Sequence, residues 1–392
     1  MVAAFNPARK LALYCLALLS GLLVSACDNI GMPSTGPAVD RGQPVTVALL
    51  VPRNSGQPGD AILAQSLENS ARMAIADLGG NPRIDLRVYD TAGSAAMAAA
   101  QATKAVDEGA SIILGPVYAE AANAAGLAVR NRNVNVLSFS NNATIAGGNV
   151  FVLGPTFENA AMRLARYAAD QGKRNIVVVH GKNLTGQMGY AAIQRAMAST
   201  SARMAGDVSY DVSQQGVIAA VPRVREMVSN TGADAVFFTS TTAGALPMFA
   251  QLLPEAGVTS DSTQFIGLTR WDIPPQTLSQ PGVQGGWFTL PDPGRMQSFT
   301  ARYSAAYGGA PHAIGGLAYD GIAIVGALVG NGKANTLSAA ALTQGAGFEG
   351  VGGVLRLRGD GSNERGLAVA TIQNKQVVVI SPAPRSFSGA GS

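Results

Sequence analysis

The sequence predicts an α/β protein built as two similar lobes, each a parallel sheet flanked by helices. Short apolar runs alternate with helical patterns along most of the 392 residues, the mark of repeated βα units. The strand candidates are near-continuous in Val, Ile, Leu and Ala, as expected when both faces of a sheet are covered. The alternation runs in two consecutive series, one on each side of Phe151.

In the first series Val45–Val51 reads as a doubly buried strand and 52–59 as a loop. Leu63, Leu67, Ala71, Ala74 and Leu78 then recur at helical spacing up to Gly79-Gly80, a helix stop. Strand 84–89, helix 94–108, strand 111–114, helix 120–131 and strand 134–138 follow. The second series comprises helix 158–171, strand 175–180, helix 187–199, strand 205–210, helix 217–230, strand 235–239, a helix near Leu246 and strand 264–268. Short strand, helix and hairpin pieces after Trp287 read as returns between the lobes.

The N-terminus sets the compartment. Arg9 and Lys10 precede an apolar stretch, 11–24, that is short for a bilayer span and ends in small residues, as a secretory signal does. An uncleaved anchor with a chance cysteine is the alternative reading. Val24-Ser25-Ala26-Cys27 resembles a bacterial lipobox, which implies cleavage before Cys27 and acylation of that residue. Asp28 resembles the inner-membrane retention signal of enteric bacteria, and reads equally as a polar start to the Gly/Pro/Ser/Thr-rich tether that ends at Pro44. Localisation is thus expected in the periplasm, on the inner or outer membrane.

Composition excludes several activities. Losing Arg9 and Lys10 takes the formal charge from +4 to +2, charged residues are 13% of the chain, and no basic run suits a nucleic acid. Cys15 leaves with the signal and Cys27 carries lipid, so the folded body has no thiol and no disulfide. With 47% apolar residues it can build its cores without one. Two histidines, His180 and His312, and no His-Glu-x-x-His argue against a zinc site. No Gly-x-Ser-x-Gly or Ser-x-x-Lys supports a serine hydrolase. Gly332-Lys333 lacks the phosphate-loop pattern, because Ala327 and Ala334 stand where Gly and a hydroxyl are needed. The expectation is a protein that binds rather than reacts, with no cofactor and no metal.

Several segments, in order, carry a family resemblance: Val45–Pro52 with Asn54-Ser55-Gly56, Val88-Tyr89-Asp90-Thr91, Ile112–Pro116, Val136–Ser140, Val150-Phe151, His180-Gly181-Lys182 and Asp234–Phe238. Together they resemble the type I periplasmic binding proteins of the leucine/isoleucine/valine class. That implies two Rossmann-like lobes joined by three crossovers around a central cleft. The expected division is a signal over 1–26, a tether over 27–44, lobe 1 over 45–147 and 290–340, lobe 2 over 148–289 and 341–381, and a disordered tail over 382–392.

Ligands of open parallel sheets meet the loops beyond the strands' carboxyl ends. Lobe 1 there offers Ser55, Tyr118, Ser138, Ser140, Asn141 and Asn142, and lobe 2 offers His180, Asn183, Thr185, Ser240, Thr241, Arg270 and Trp271. The hydroxyls and amides suit a small polar ligand, with Trp271 as an apolar wall. The amino-acid binders of the class place a Tyr before Gly where this chain has Thr185-Gly186. They also supply a second-lobe acid near Arg270, a cation that would repel an α-ammonium, although Asp272 is close by.

The C-terminal third, with Gly285–Phe288, Pro291-Asp292-Pro293, Leu317–Asp320 and above all Leu355–Val369, resembles the penicillin-binding-protein activator lipoproteins. The enteric members carry a helical-repeat domain that this chain lacks. The resemblance implies a lipoprotein that stimulates a peptidoglycan synthase by contact. The alternative is the solute receptor of an ABC permease.

Overall fold

The computed structural model describes residues 43–330 and 336–387. The signal segment, Cys27, Asp28, most of the tether and Gly332-Lys333 lie outside the described residues.

Lobe 1 is built on a five-stranded parallel sheet, order β2-β1-β3-β4-β5, from β1 (Val45–Val51), β2 (Ile84–Asp90), β3 (Ile112–Leu114), β4 (Asn135–Ser138) and β5 (Val150–Val152). β1 shows why the strands read as unbroken apolar runs. Val47, Leu49 and Val51 enter one core, and Ala48 and Leu50 enter the core on the opposite face. The first core is closed by α1 (Asp60–Asp77), the second by α2 (Ala95–Asp107) and α3 (Ala119–Val129). β2 lies at the sheet edge, half exposed, which accommodates Asp85 and Arg87.

Lobe 2 follows with α4 (Phe157–Asp170), β6 (Asn175–Gly181), α5 (Leu184–Ala198), β7 (Arg203–Tyr210), α6 (Gln214–Thr231), β8 (Ala235–Phe238), α7 (Leu246–Glu255), β9 (Gln264–Gly267) and β10 (Trp287–Leu290). Two late strands, β14 (Ala368–Gln373) and β15 (Gln376–Ser381), join antiparallel to give the order β15-β14-β10-β9-β8-β6-β7. Val177 and Val179 of β6 face one core, Ile176 and Val178 the other.

Between β10 and β14 the chain returns to lobe 1. It forms α8 (Pro293–Tyr307), α9 (Gly316–Gly330), α10 (Ala339–Leu342) and a small antiparallel sheet, β11 (Phe348–Gly350), β12 (Gly353–Leu357) and β13 (Asn363–Arg365). The chain therefore passes between lobes three times, at 153–156, 291–292 and 366–367, which is the expected two-lobe topology.

The lobe limits differ from the expected ones. β5, beyond the division at 147, pairs with β4 in the first sheet, Val136↔Val150 to Ser138↔Val152. The return over 341–365 was expected in lobe 2, yet Phe348, Leu355 and Leu357 are buried in the first core beside Leu317 and Ile324. A three-residue strand and an apolar hairpin carry no sequence signal of which sheet receives them. Residues 382–387, expected to be disordered, pack on the body: Arg163 reaches the carbonyl of Pro382, and the Arg356 guanidinium lies 4.6 Å from the Phe387 ring centroid.

Candidate functional site

A cleft of about 650 Å³ opens between the lobes. Its lobe 1 wall is the β3–α3 turn (Val117, Tyr118, Ala119) and the loop after β4 (139–144), with Ile314 at the margin. Its lobe 2 wall is the start of α4 (Phe157, Glu158) and one face of α5 (Thr185, Met188, Ala191, Arg195).

Sequence shapes both lobe 1 loops. Gly115 has φ +86, and a Cβ there would lie 2.4 Å from the Leu50 carbonyl oxygen, so only glycine lets the turn cross β1. Ser138 Oγ donates to the Pro116 carbonyl and accepts the Ser140 amide, both at 3.1 Å. Ser140 Oγ in turn accepts the Asn142 amide at 3.1 Å, and Asn142 Oδ1 accepts the Thr144 amide at 2.9 Å. This relay holds the loop open-faced and leaves the exposed Asn141 presented to the cleft.

Tyr118 is fixed from behind. Its hydroxyl donates to the buried Asp60 carboxylate at 2.7 Å, and Ser55 Oγ donates to the same group at 2.6 Å. Burial, then the hydrogen bond and charge of Asp60, push the phenol up to about 12, so it stays protonated and shows its ring to the cleft. Across the gap, Arg195 is ion-paired with Glu158, joining α5 to α4. The first-turn amides of α3 begin at Tyr118 without a side-chain cap. Uncapped amides therefore stand at the cleft edge on lobe 1, with the Glu120 carboxylate in the same first turn.

Five of the thirteen expected ligand residues line this cleft: Tyr118, Ser140, Asn141, Asn142 and Thr185. Ser55 and Ser138 stand one layer behind it. Asn183 caps α5 through the Gly186 amide at 2.9 Å, and the Thr241 carbonyl accepts the Gly244 amide in a turn. Ser240 is buried at the end of the second sheet. His180 lies within that sheet, its Nε2 3.1 Å from Asp207 and its ring stacked on Tyr190 at 4.3 Å.

Trp271 is not a cleft wall. It is fully buried, stacked on Phe288 in a slot where a Cβ on Gly267 or Gly286 would come within 2.1 Å of the indole. Arg270 is bound to Asp272 through two hydrogen bonds and does not line the cleft, so it does not repel an α-ammonium there. Sequence reading missed Val117, Phe139, Phe157, Glu158, Met188, Arg195 and Ile314. One signal was present: 185, 188, 191 and 195 share a helical face, while Ala192, Ile193 and Ala196 are core.

Fold and cleft define a two-lobed binding protein. The family described as periplasmic binding protein matches residues 44–376, and the chain belongs to that family. Among solved structures, a Rhodospirillum rubrum protein assigned to branched-chain amino acid ABC transport is similar with TM-score 0.73 and 16% identity, over 86% of this chain and 100% of that one. An ABC transporter substrate-binding protein of Desulfitobacterium hafniense, in complex with Leu, gives TM-score 0.63 and 18% identity over 86% and 100%. A solute-binding protein of Rhodopseudomonas palustris, in complex with 3,4-dihydroxybenzoic acid, gives 0.58 and 18% over 86% and 96%. No curated protein matches the sequence. Among the described residues no helix is long and apolar enough to cross a membrane.

Proposed function

We propose that the protein is the solute receptor of an ABC permease, non-catalytic, periplasmic and moored through lipid on Cys27, taking a small carboxylate with an apolar body. The observation that carries the reading is the composition of the cleft. Val117, Phe139, Phe157, Met188 and Ile314 supply apolar surface, while Asn141 and the uncapped start of α3 offer donors to an anionic group. The Leu and 3,4-dihydroxybenzoic acid named with similar structures are both small carboxylic acids, one on an aliphatic body and one on an aromatic ring.

The test is a thermal-shift screen of the full chain against aliphatic amino acids, benzoates and their amide and alcohol counterparts. The reading expects a raised Tm for one or more acids and none for the matching amides. Stabilisation only by uncharged analogues, or by nothing in the panel, contradicts it. Failure of radiolabelled palmitate to enter the protein removes the anchor.

The peptidoglycan-synthase activator reading rests on sequence resemblance, and its densest segment, Leu355–Val369, has work inside the molecule. Arg356 and Arg358 pair with Glu364, and Asn363 and Arg365 bind the backbone of the first crossover. Co-purification of a penicillin-binding protein, with faster glycan polymerisation, would restore it.

A further inference from the structure

The three crossovers are fastened to one small element, and we infer that the sheet β11–β13 is a hub that couples them, with Asn363, Arg365 and Arg163 as positioning residues for movement between the lobes. This rests on the cleft reading only for its use in ligand capture; the coupling is a property of the ligand-free protein.

The first crossover is held through three successive backbone carbonyls. Asn363 Nδ2 donates to the carbonyls of Val152 (3.0 Å) and Gly154 (2.8 Å). Arg365 Nε donates to the Leu153 carbonyl at 3.2 Å while its guanidinium pairs with the buried Asp320 at 3.3 Å. The Val152 amide donates to the Gly361 carbonyl at 2.8 Å. There is no slack at this contact, since a Cβ on Gly361 would lie 2.4 Å from the Gly147 nitrogen.

The second crossover docks on the opposite turn of the same sheet, where the Asp292 amide donates to the Gly352 carbonyl at 2.9 Å. The third is the sheet's own exit. The Gly366 amide stays on the Val354 carbonyl at 2.8 Å, and one residue later the Leu367 carbonyl accepts from Arg163 of α4 at 2.8 Å. Arg163 also donates to Ser381 Oγ at 2.6 Å, which ties this point to β15. Arg163 thus holds Leu367 from lobe 2, while Arg365, the residue before Gly366, is anchored to Asp320 in lobe 1. Lobe 2 also holds the hub through Asn159 Nδ2, which donates to the Asn363 carbonyl at 3.1 Å.

The consequence is mechanical. Rotation of one lobe against the other is absorbed at 366–367 and the matching residues of the other crossovers, while the hub travels with lobe 1 and the Asn159–Asn363 bond from lobe 2 yields. Because the hub is shared, loosening one crossover loosens all three.

Hydrogen exchange on the full chain tests this, read at the amides of Val152, Asp292 and Gly366, one for each crossover. Asn363→Ala is expected to accelerate exchange at all three together, by about tenfold or more, with the β6–β9 amides unchanged. Acceleration confined to Val152 overturns the hub, as does uniform acceleration across both lobes. Should that variant not fold, Arg163→Met keeps most of the side-chain stem and removes its three hydrogen bonds, to Leu367, Ser381 and Pro382. It is expected to raise exchange at Gly366 and at the other two amides, and a change at Gly366 alone overturns the coupling. Both readouts need no ligand, so failure of the cleft to bind any solute leaves them decisive.

Discussion

Replacing Trp271 separates a core residue from a cleft residue. The indole is fully buried among Phe238, Phe265 and Phe288, so truncation to Ala leaves a large void and costs about 3–5 kcal/mol. Trp271→Phe should behave differently. Its Nε1 is buried without a hydrogen-bond partner among the described residues, so losing the ring's extra volume is partly offset by removing an unsatisfied donor. The net cost expected is about 1 kcal/mol. Urea unfolding followed by circular dichroism measures both, and Trp287, the only other tryptophan, reports the second lobe by fluorescence in either variant. Trp271→Ala costing less than about 1 kcal/mol, or Trp271→Phe costing as much as Ala, would refute the reasoning. So would ligand affinity that falls with Trp271→Phe while stability does not change.

Arg365→Met strands the Asp320 carboxylate, which is 1% exposed, and should destabilise by about 3–5 kcal/mol; Arg365→Met with Asp320→Leu should recover much of that in the same urea experiment. Acid should weaken the fold through Glu68 and Glu364. Burial would raise both carboxyls, but Arg72 and Arg53 on the first, and Arg358 and Arg356 on the second, hold them below the ordinary 4.5. Their contribution is therefore complete above pH 4.5 and lost as pH falls below it, a decline that melting curves between pH 7 and 3 will show and that Glu364→Gln will reduce. Gly154→Ala would place a Cβ 2.3 Å from the Ser140 carbonyl oxygen. It is expected to displace the 139–144 loop and weaken ligand binding at least about tenfold by calorimetry, with the second lobe's unfolding unaffected.

Much of the scaffold could be read from sequence because doubly covered strands leave a clear trace: Val47–Val51 of β1 and Ile176–Val179 of β6 each face one of two cores, so those runs are apolar without a break. Part of the lobe 1 side of the cleft was legible for the same reason, since Ser140–Asn142 lie just beyond such a strand. The lobe 2 side was not. Its contribution comes from helix faces on α4 and α5, where Phe157, Met188 and Arg195 look like ordinary amphipathic positions. Trp271 misled because the slot that swallows it is cut by Gly267 and Gly286, on two different strand ends that only the fold brings together. The return over 341–365 was misplaced because hydrogen bonds to carbonyls, such as those of Asn363 and Arg365, leave no pattern in the sequence of the segment they bind.

The account stands most directly on where a solute sits. A crystal structure of the protein grown with the acid that raises its melting temperature most should show that molecule between the 139–144 loop and α5, its carboxylate toward Asn141 and the start of α3. Density for the acid on an outer face of either lobe, with the interlobe cleft holding only water, would contradict the claim that this cleft is the binding site.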